Sequence, residues 1–276
     1  MGIRPVVFLF LVLSCCLLSS NSLADKLTLI TSTSVIPSHP STQMLEITQK
    51  SLNLIPEFKD CPRIIVFDGI PSHQMNRSTA YEAYKQNVIE LAKTNTDFAN
   101  TKLIFCKEHK HLALALKEAM AQVTTPFVFV HQHDFKIIKP IDAIGLIRSM
   151  EDNPNLKHVR LNRRQVMATK WDGKVDNVIE GPSYVPLSRT WGWSDNDHFC
   201  PKKYYDEFIF SKIKRKKPME KVIQPLQRRA ERRNRANHKI FGTYIYGNLG
   251  DSPIIAHLDG KRWRDKPHLK TTKNKS

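Results

Sequence analysis

The stretch Thr125-Pro126-Phe127-Val128-Phe129-Val130 runs into His131-Gln132-His133-Asp134, which sets two imidazoles and a carboxylate within four positions. Groups of this kind bind divalent cations or carry protons between reacting atoms. What precedes them is a short aromatic and β-branched run opened by a proline. It reads as a strand buried on both faces in the middle of a parallel sheet. Open α/β sheets bind their ligands outside the carboxyl ends of such strands. The pattern therefore predicts a buried strand over 126–131 that delivers His133 and Asp134 to a site at its tip.

The surrounding chain predicts the sheet this strand needs. Lys26 to Thr33 reads as a first strand, and Ser41 caps a helix with Met44, Leu45, Leu52 and Ile55 inward. Arg63 to Phe67 is a second strand, ended by Asp68-Gly69. Thr79 and Glu82 have capping-box spacing ahead of a helix with Tyr81, Tyr84, Val88 and Leu91 on one face. Thr101 to Cys106 is a third strand, and His111 to Gln122 a helix. Pro140 to about Glu151 is a further helix, and Lys157 to Leu161 another strand. This alternation with short connections is the mark of βαβ units and an α/β fold with a parallel sheet. Beyond Asn162 the periodicity fades. Trp171 to Trp193 reads as a binding loop, Pro201 to Phe210 as a short helix, and 241–246 and 253–257 as closing strands.

With 276 residues, 41% of them hydrophobic, the chain can bury a large core. Its net charge of +17 is concentrated: residues 212–239 carry +10 and residues 261–276 carry +6, which leaves the body close to neutral. That distribution argues against a nucleic-acid-binding core. It fits two basic appendages that meet an anionic surface or ligand. Segment 212–239 is helix-prone but poorly amphipathic, so it is expected to be exposed, and 261–276 reads as a disordered tail. Residues 1–24 have the form of a secretory signal peptide: Arg4, an apolar stretch from Pro5 to Leu18, then Ser22-Leu23-Ala24. An uncleaved anchor is the alternative, and either places residues 25–260 in the secretory pathway. The Asn76-Arg77-Ser78 sequon suits a glycoprotein there. Cys61, Cys106 and Cys200 allow one disulfide and an odd thiol, or none.

The segment Lys102–Phe135, KLIFCKEHKHLALALKEAMAQVTTPFVFVHQHDF, resembles glycosyltransferases of the GT-A fold, in particular their family 2-like group. KLTLITST followed by a polar loop, and RIIVFDG, match the same order of elements, so the resemblance covers roughly 26–162. It implies a GT-A-like, mostly parallel sheet flanked by helices, and transfer of a sugar from a nucleoside-diphosphate donor to a glycan or protein acceptor. It also implies a divalent cation, Mn²⁺ or Mg²⁺, on the donor diphosphate, where a Lewis acid stabilises the leaving group. The family's Asp-x-Asp motif is altered, since His131 and His133 stand at its first two positions and only Asp134 is a carboxylate. The resemblance assigns His133, Asp134 and His257 to the metal, and Thr31, Ser32, Asp68, Lys110, His133 and Asp134 to the donor. Asp195 becomes the catalytic base, with Asp197 as the alternative; capping of a following helix by Ser194 and Asp195 competes with that role. Trp171, Tyr184, Trp191 and Trp193 would face the acceptor, and Arg160, Arg163 and Arg164 the diphosphate, with His111 beside Lys110.

Two other readings stay open on the sequence. One is a metal-dependent hydrolase or nuclease built from His131, His133, Asp134, Asp197, His198 and His257. The other is a non-catalytic glycan-binding relative that has lost the first aspartate of the motif.

Overall fold

The computed structural model describes residues 22–169, 173–214 and 216–259. The leader with Cys15 and Cys16, Trp171 and the basic tail 261–276 lie outside the described residues. Among those described, no helix is long and apolar enough to cross a membrane.

In chain order the elements are α1 (Leu23–Lys26), β1 (Leu27–Thr33), α2 (Gln43–Ser51), β2 (Arg63–Phe67), α3 (Ser78–Thr94), β3 (Thr101–Phe105) and α4 (His111–Met120). There follow β4 (Phe127–Gln132), β5 (Phe135–Ile137), α5 (Ala143–Asp152), β6 (His158–Arg160), β7 (Val175–Asp176), β8 (Leu187–Thr190) and β9 (His198–Pro201). A π-helical turn (Tyr204–Ile209) leads into α6 (Phe210–Lys212), then α7 (Met219–Arg233), α8 (His238–Phe241), β10 (Thr243–Tyr246) and β11 (Ile255–His257).

Nine strands form one sheet in the order β3-β2-β1-β4-β9-β6-β10-β8-β7, while β5 and β11 pair as a separate antiparallel ribbon. β8 and β9 run against the other seven strands, so the sheet is mostly parallel. β4 lies between β1 and β9, as a strand with apolar residues on both faces must. Its side chains alternate: Phe127 and Phe129 enter one core with Leu29, Phe58 and Phe199, and Val128 and Val130 enter the other with Ile30, Leu116 and Trp193. The chain winds outward from β1 in both directions, to β2 and β3 on one side and to β4 on the other. A crevice is left outside the carboxyl ends of β1, β2 and β4.

Several local expectations change. The Thr79–Glu82 capping box does not form, because a 3₁₀ turn over Ser72–Arg77 feeds directly into α3 and Glu82 pairs with Lys85 instead. Segment 212–239 is not a loose basic arm. Within it α7 buries Met219, Ile223, Gln227 and Glu231, one residue every fourth position. Gln227 Nε2 donates to the Thr190 carbonyl at 3.2 Å and to Thr243 Oγ1 at 2.6 Å, which ties the helix to β8 and β10. Burial pushes the Glu231 carboxyl up to about 7, so near neutrality part of it is uncharged in this position. Ile223→Ala is expected to cost about 2–5 kcal/mol of unfolding free energy by urea denaturation; an unchanged midpoint would mean that α7 is not packed. The stretch from 173 to 193 supplies β7 and β8 to the sheet edge rather than a binding loop. Cys61, Cys106 and Cys200 are buried free thiols, and burial pushes Cys61 up to about 12 and Cys106 to about 11.

Candidate active site

The crevice outside β1, β2 and β4 is a cavity of about 730 Å³ lined by the β1 loop Ser32–Pro37, by Arg77, His109 and His111, and by Gln132, His133 and Asp134. Its two ends have different chemistry.

At one end Asp68 closes the tip of β2. Its Oδ1 accepts from the backbone N–H of Gly69 at 2.8 Å and of Lys110 at 2.7 Å, and its Oδ2 from His111 N–H at 3.0 Å and His109 Nδ1 at 2.8 Å. A carboxylate with four donors has little capacity left for a ribose or a base. Asp68 instead fixes the turn that follows β3, where a side chain on Gly69 would fall 2.1 Å from the Glu108 carbonyl carbon. Lys110 contributes only its backbone here; its ammonium pairs with Glu118 outside the crevice. His111, at φ +65°, lines the cavity. Thr31 is buried and accepts from Gln49 Nε2 at 2.9 Å, so it faces the core, whereas Ser32 lines the cavity.

At the other end lie the side chains from the tip of β4. His131 points into the protein: its Nδ1 meets Asp197 Oδ2 at 2.5 Å, both side chains are fully buried, and Asp197 Oδ1 also accepts the Gln132 N–H at 2.9 Å. Burial pushes the Asp197 carboxyl up, against the pull of His131 and the Gln132 amide. Asp197 is therefore a scaffold residue with no path to a substrate, not an alternative base. Asp197→Ala would leave a buried imidazole and an amide unpaired and is expected to cost about 3–5 kcal/mol of stability, measured by chemical denaturation; a loss below 1 kcal/mol would contradict that role.

His133 and Asp134 turn toward the cavity. His133 Nδ1 donates to the Ser32 carbonyl at 3.2 Å, which leaves its Nε2 lone pair buried and without a partner. Burial pushes His133 down, so it is neutral and able to ligate. Asp134 Oδ2 meets His257 Nε2 at 3.1 Å, because the β5–β11 ribbon sets His257 opposite Phe135. Burial raises the Asp134 carboxyl, yet the hydrogen bond from His257, with the pull of the imidazoles around it, outweighs burial and holds it at about 2. Asp134 and His257 thus meet, with one unsatisfied imidazole nitrogen nearby. Among the described residues no three His, Cys, Asp or Glu side chains converge as a complete metal site. A carboxylate and an imidazole suit a cation that takes its remaining ligands from phosphate oxygens and water.

A second, smaller cavity of about 270 Å³ adjoins this end, lined by Arg160 to Arg164, Ser194, Asn196, Glu220 and Gln224. The two are linked by Gln132, which lines the first and whose Nε2 donates to the Asp195 carbonyl at 2.7 Å. Asp195 lies under the second cavity, where burial and the facing Glu220 carboxyl push it up to about 7. Ser194 Oγ donates to Glu220 Oε2 at 3.2 Å, and the next element is β9, so Ser194 and Asp195 cap no helix. Glu220 is the residue that sequence reasoning missed; it is a lone acid near the start of a basic run. The arginines expected at the diphosphate line this cavity instead.

The hydrolase ligand set does not assemble. His198 is buried, stacked 4.2 Å from His158 and bonded to the Tyr205 hydroxyl at 2.9 Å and the Asn196 carbonyl at 2.7 Å. Of the expected acceptor-side aromatics, Trp193 is fully buried core. Trp191 lies between Lys174 and Arg235 at 5.1 and 5.0 Å, and Tyr184 is exposed, with its hydroxyl on Asp152.

No protein-family model matches the sequence, and no curated protein is similar to it. Among solved structures, S. aureus TarS aligns at 11% identity with a TM-score of 0.50, over 84% of this chain and 36% of that one. S. aureus TarS 1–349 in complex with UDP-GlcNAc aligns at 12% identity and a TM-score of 0.48, over 84% and 58%. GalNAc-T7 with UDP, GalNAc and Mn²⁺ aligns at 8% identity and a TM-score of 0.46, over 66% and 36%. The chain thus spans between 36% and 58% of the length of these structures. The likeness to TarS, together with the strand order, gives the chain a GT-A-like fold.

Proposed function

We propose that this chain of GT-A-like fold is a glycosyltransferase that takes a sugar from a nucleoside-diphosphate donor. The observation that carries this reading is the crevice at the carboxyl ends of β1, β2 and β4, with the Asp134–His257 pair at one end. The crevice is large enough for a nucleotide, and the β1 loop, Arg77 and the Asp68-fixed turn form its walls. Asp134 and His257, with His133 beside them, would hold a divalent cation, which when bound neutralises charge on the departing diphosphate. Gln132 orients the Asp195 backbone between the two cavities. Asp195, whose neighbours Ser194 and Asn196 line the second cavity and whose carboxyl is pushed up to about 7, would take the acceptor hydroxyl's proton as the glycosidic bond forms. The acceptor would enter from the arginine-lined side. From the leader-like segment at 1–24 we place this activity in the secretory pathway.

The test is thermal unfolding of the purified protein with UDP, GDP and their sugars, with and without MnCl₂. A rise in Tm that requires both nucleotide and metal is expected. A rise with metal alone would favour the hydrolase reading. Indifference to every addition would favour a non-catalytic glycan binder.

A further inference from the structure

We propose that the arginine-lined cavity binds an acidic group of the acceptor, and that the acceptor is a polyanionic glycan whose chain continues along α7. This rests on the transferase reading and names its substrate class.

The cavity is built for an anion. Arg160, Arg163 and Arg164 line it, and the acids beside it are Asp195 and Glu220. Arg163 is half-buried in this concavity, and it makes no hydrogen bond or ion pair with any described residue. Its charge draws the Asp195 carboxyl down against burial and Glu220, yet its guanidinium keeps its hydrogen-bonding edge free of any described residue, which suits a bidentate oxyanion, either a carboxylate or a phosphate. Asn162, Ser194, Asn196 and Gln224 supply the neutral donors and acceptors that sugar hydroxyls need.

The second observation is independent of the cavity. Glu220 and Gln224 line it from the first turns of α7, and the same ridge continues at four-residue spacing to Arg228 and Arg232. At 1.5 Å per residue that ridge runs about 18 Å. Arg228 and Arg232, with Arg229 and Arg233 beside them, are exposed and make no ion pair or hydrogen bond with described residues. The buried face of α7 holds this row rigidly. One bound anion would satisfy the cavity, but a row of unpaired cations leading out of it calls for repeated anions. Among the described residues, the lining holds no aromatic side chain on which a base could stack and Leu161 as its one apolar residue, which disfavours nucleic acid and bilayer.

The experiment uses the full-length protein and fluorescent probes at fixed salt. The probes are a hyaluronan hexasaccharide, a phosphorylated maltohexaose, neutral maltohexaose, a single-stranded DNA hexamer and phosphatidylserine vesicles. Binding of at least one acidic oligomer is expected, with maltohexaose at least tenfold weaker; whichever oligomer binds identifies carboxylate or phosphate. Arg163→Gln is expected to weaken that binding about 10- to 100-fold, as for one lost charge-assisted contact. Arg228→Gln/Arg232→Gln is expected to weaken it while removing the dependence on oligomer length. The inference is overturned if neither acidic oligomer binds, if maltohexaose binds equally, or if Arg163→Gln changes nothing while its thermal unfolding matches wild type. It is also overturned if DNA or vesicles bind as tightly and lose as much on Arg163→Gln. Stabilisation by UDP or GDP with MnCl₂ is read in parallel. Its absence would sink the transferase reading, whereas its presence with no acidic oligomer bound would sink this inference alone.

Discussion

Asp134→Asn should lower sugar transfer about 10²- to 10³-fold, the size of effect seen when one electrostatic stabiliser of a developing anion is lost, here the cation that Asp134 would hold. The same variant should lose the Mn²⁺-dependent part of nucleotide stabilisation in thermal unfolding, while the metal-free protein still folds. The amide keeps the shape of the side chain but cannot counter a cation. Its pH behaviour follows from the position of the carboxyl at about 2. A depressed carboxyl contributes stability that is present above its unfolded value near 3.8 and is lost as pH falls toward 2. Wild type should therefore keep this site anionic throughout the neutral range, and the variant should lack that segment of acid-induced destabilisation. Full activity in Asp134→Asn would move the donor's diphosphate away from this end of the crevice.

Asp195→Asn is expected to reduce kcat about 10²- to 10⁴-fold, as for loss of a general base, while leaving stabilisation by donor nucleotide intact. Because burial and Glu220 push this carboxyl to about 7, the wild-type rate should climb as pH rises through 7 and the base form accumulates. Glu220→Gln removes the second of those causes, so the rising limb should move to lower pH. The stability effect has the opposite sign to that of Asp134. A raised carboxyl contributes stability that is fully present below about 3.8 and is lost as pH rises through 7. A pH–rate limb that stays in place in Glu220→Gln would show that Asp195 is not the group being titrated.

The centre of the sheet could be read from the sequence because its determinants are local. The unbroken run Phe127–Val130 has no polar face, and its shortness, its aromatic and β-branched residues and the preceding Pro126 favour a strand inside a sheet over a buried helix. What was not legible depended on distant partners. His131 looks like a ligand until Asp197, 66 positions away, arrives beside it through the β4–β9 pairing. Arg163 and Arg164 follow a strand, as diphosphate-binding arginines would, but β6 lies beyond β9 in the sheet and carries them to the second cavity. The packing of α7 is hidden from the sequence because half of its buried face is polar. After Met219 and Ile223 the same row continues as Gln227 and Glu231, which no apolar periodicity registers. The family resemblance assigns Asp134 and His257 each to a metal and not to one another, and nothing in the periodicity of either segment places a ribbon beside the sheet. Asp68 was correctly placed at a strand end near the crevice, but the four donors around it come from a turn whose shape could not be seen in advance.

His257 sits on a two-stranded ribbon outside the nine-stranded sheet. Evolution can therefore alter or delete the imidazole opposite Asp134 at a single codon, leaving the hydrogen-bond ladder that organises the rest of the molecule untouched. In a collection of random variants, lesions at this position should cost the stability that the Asp134 hydrogen bond supplies and little more, while standing out in turnover screens.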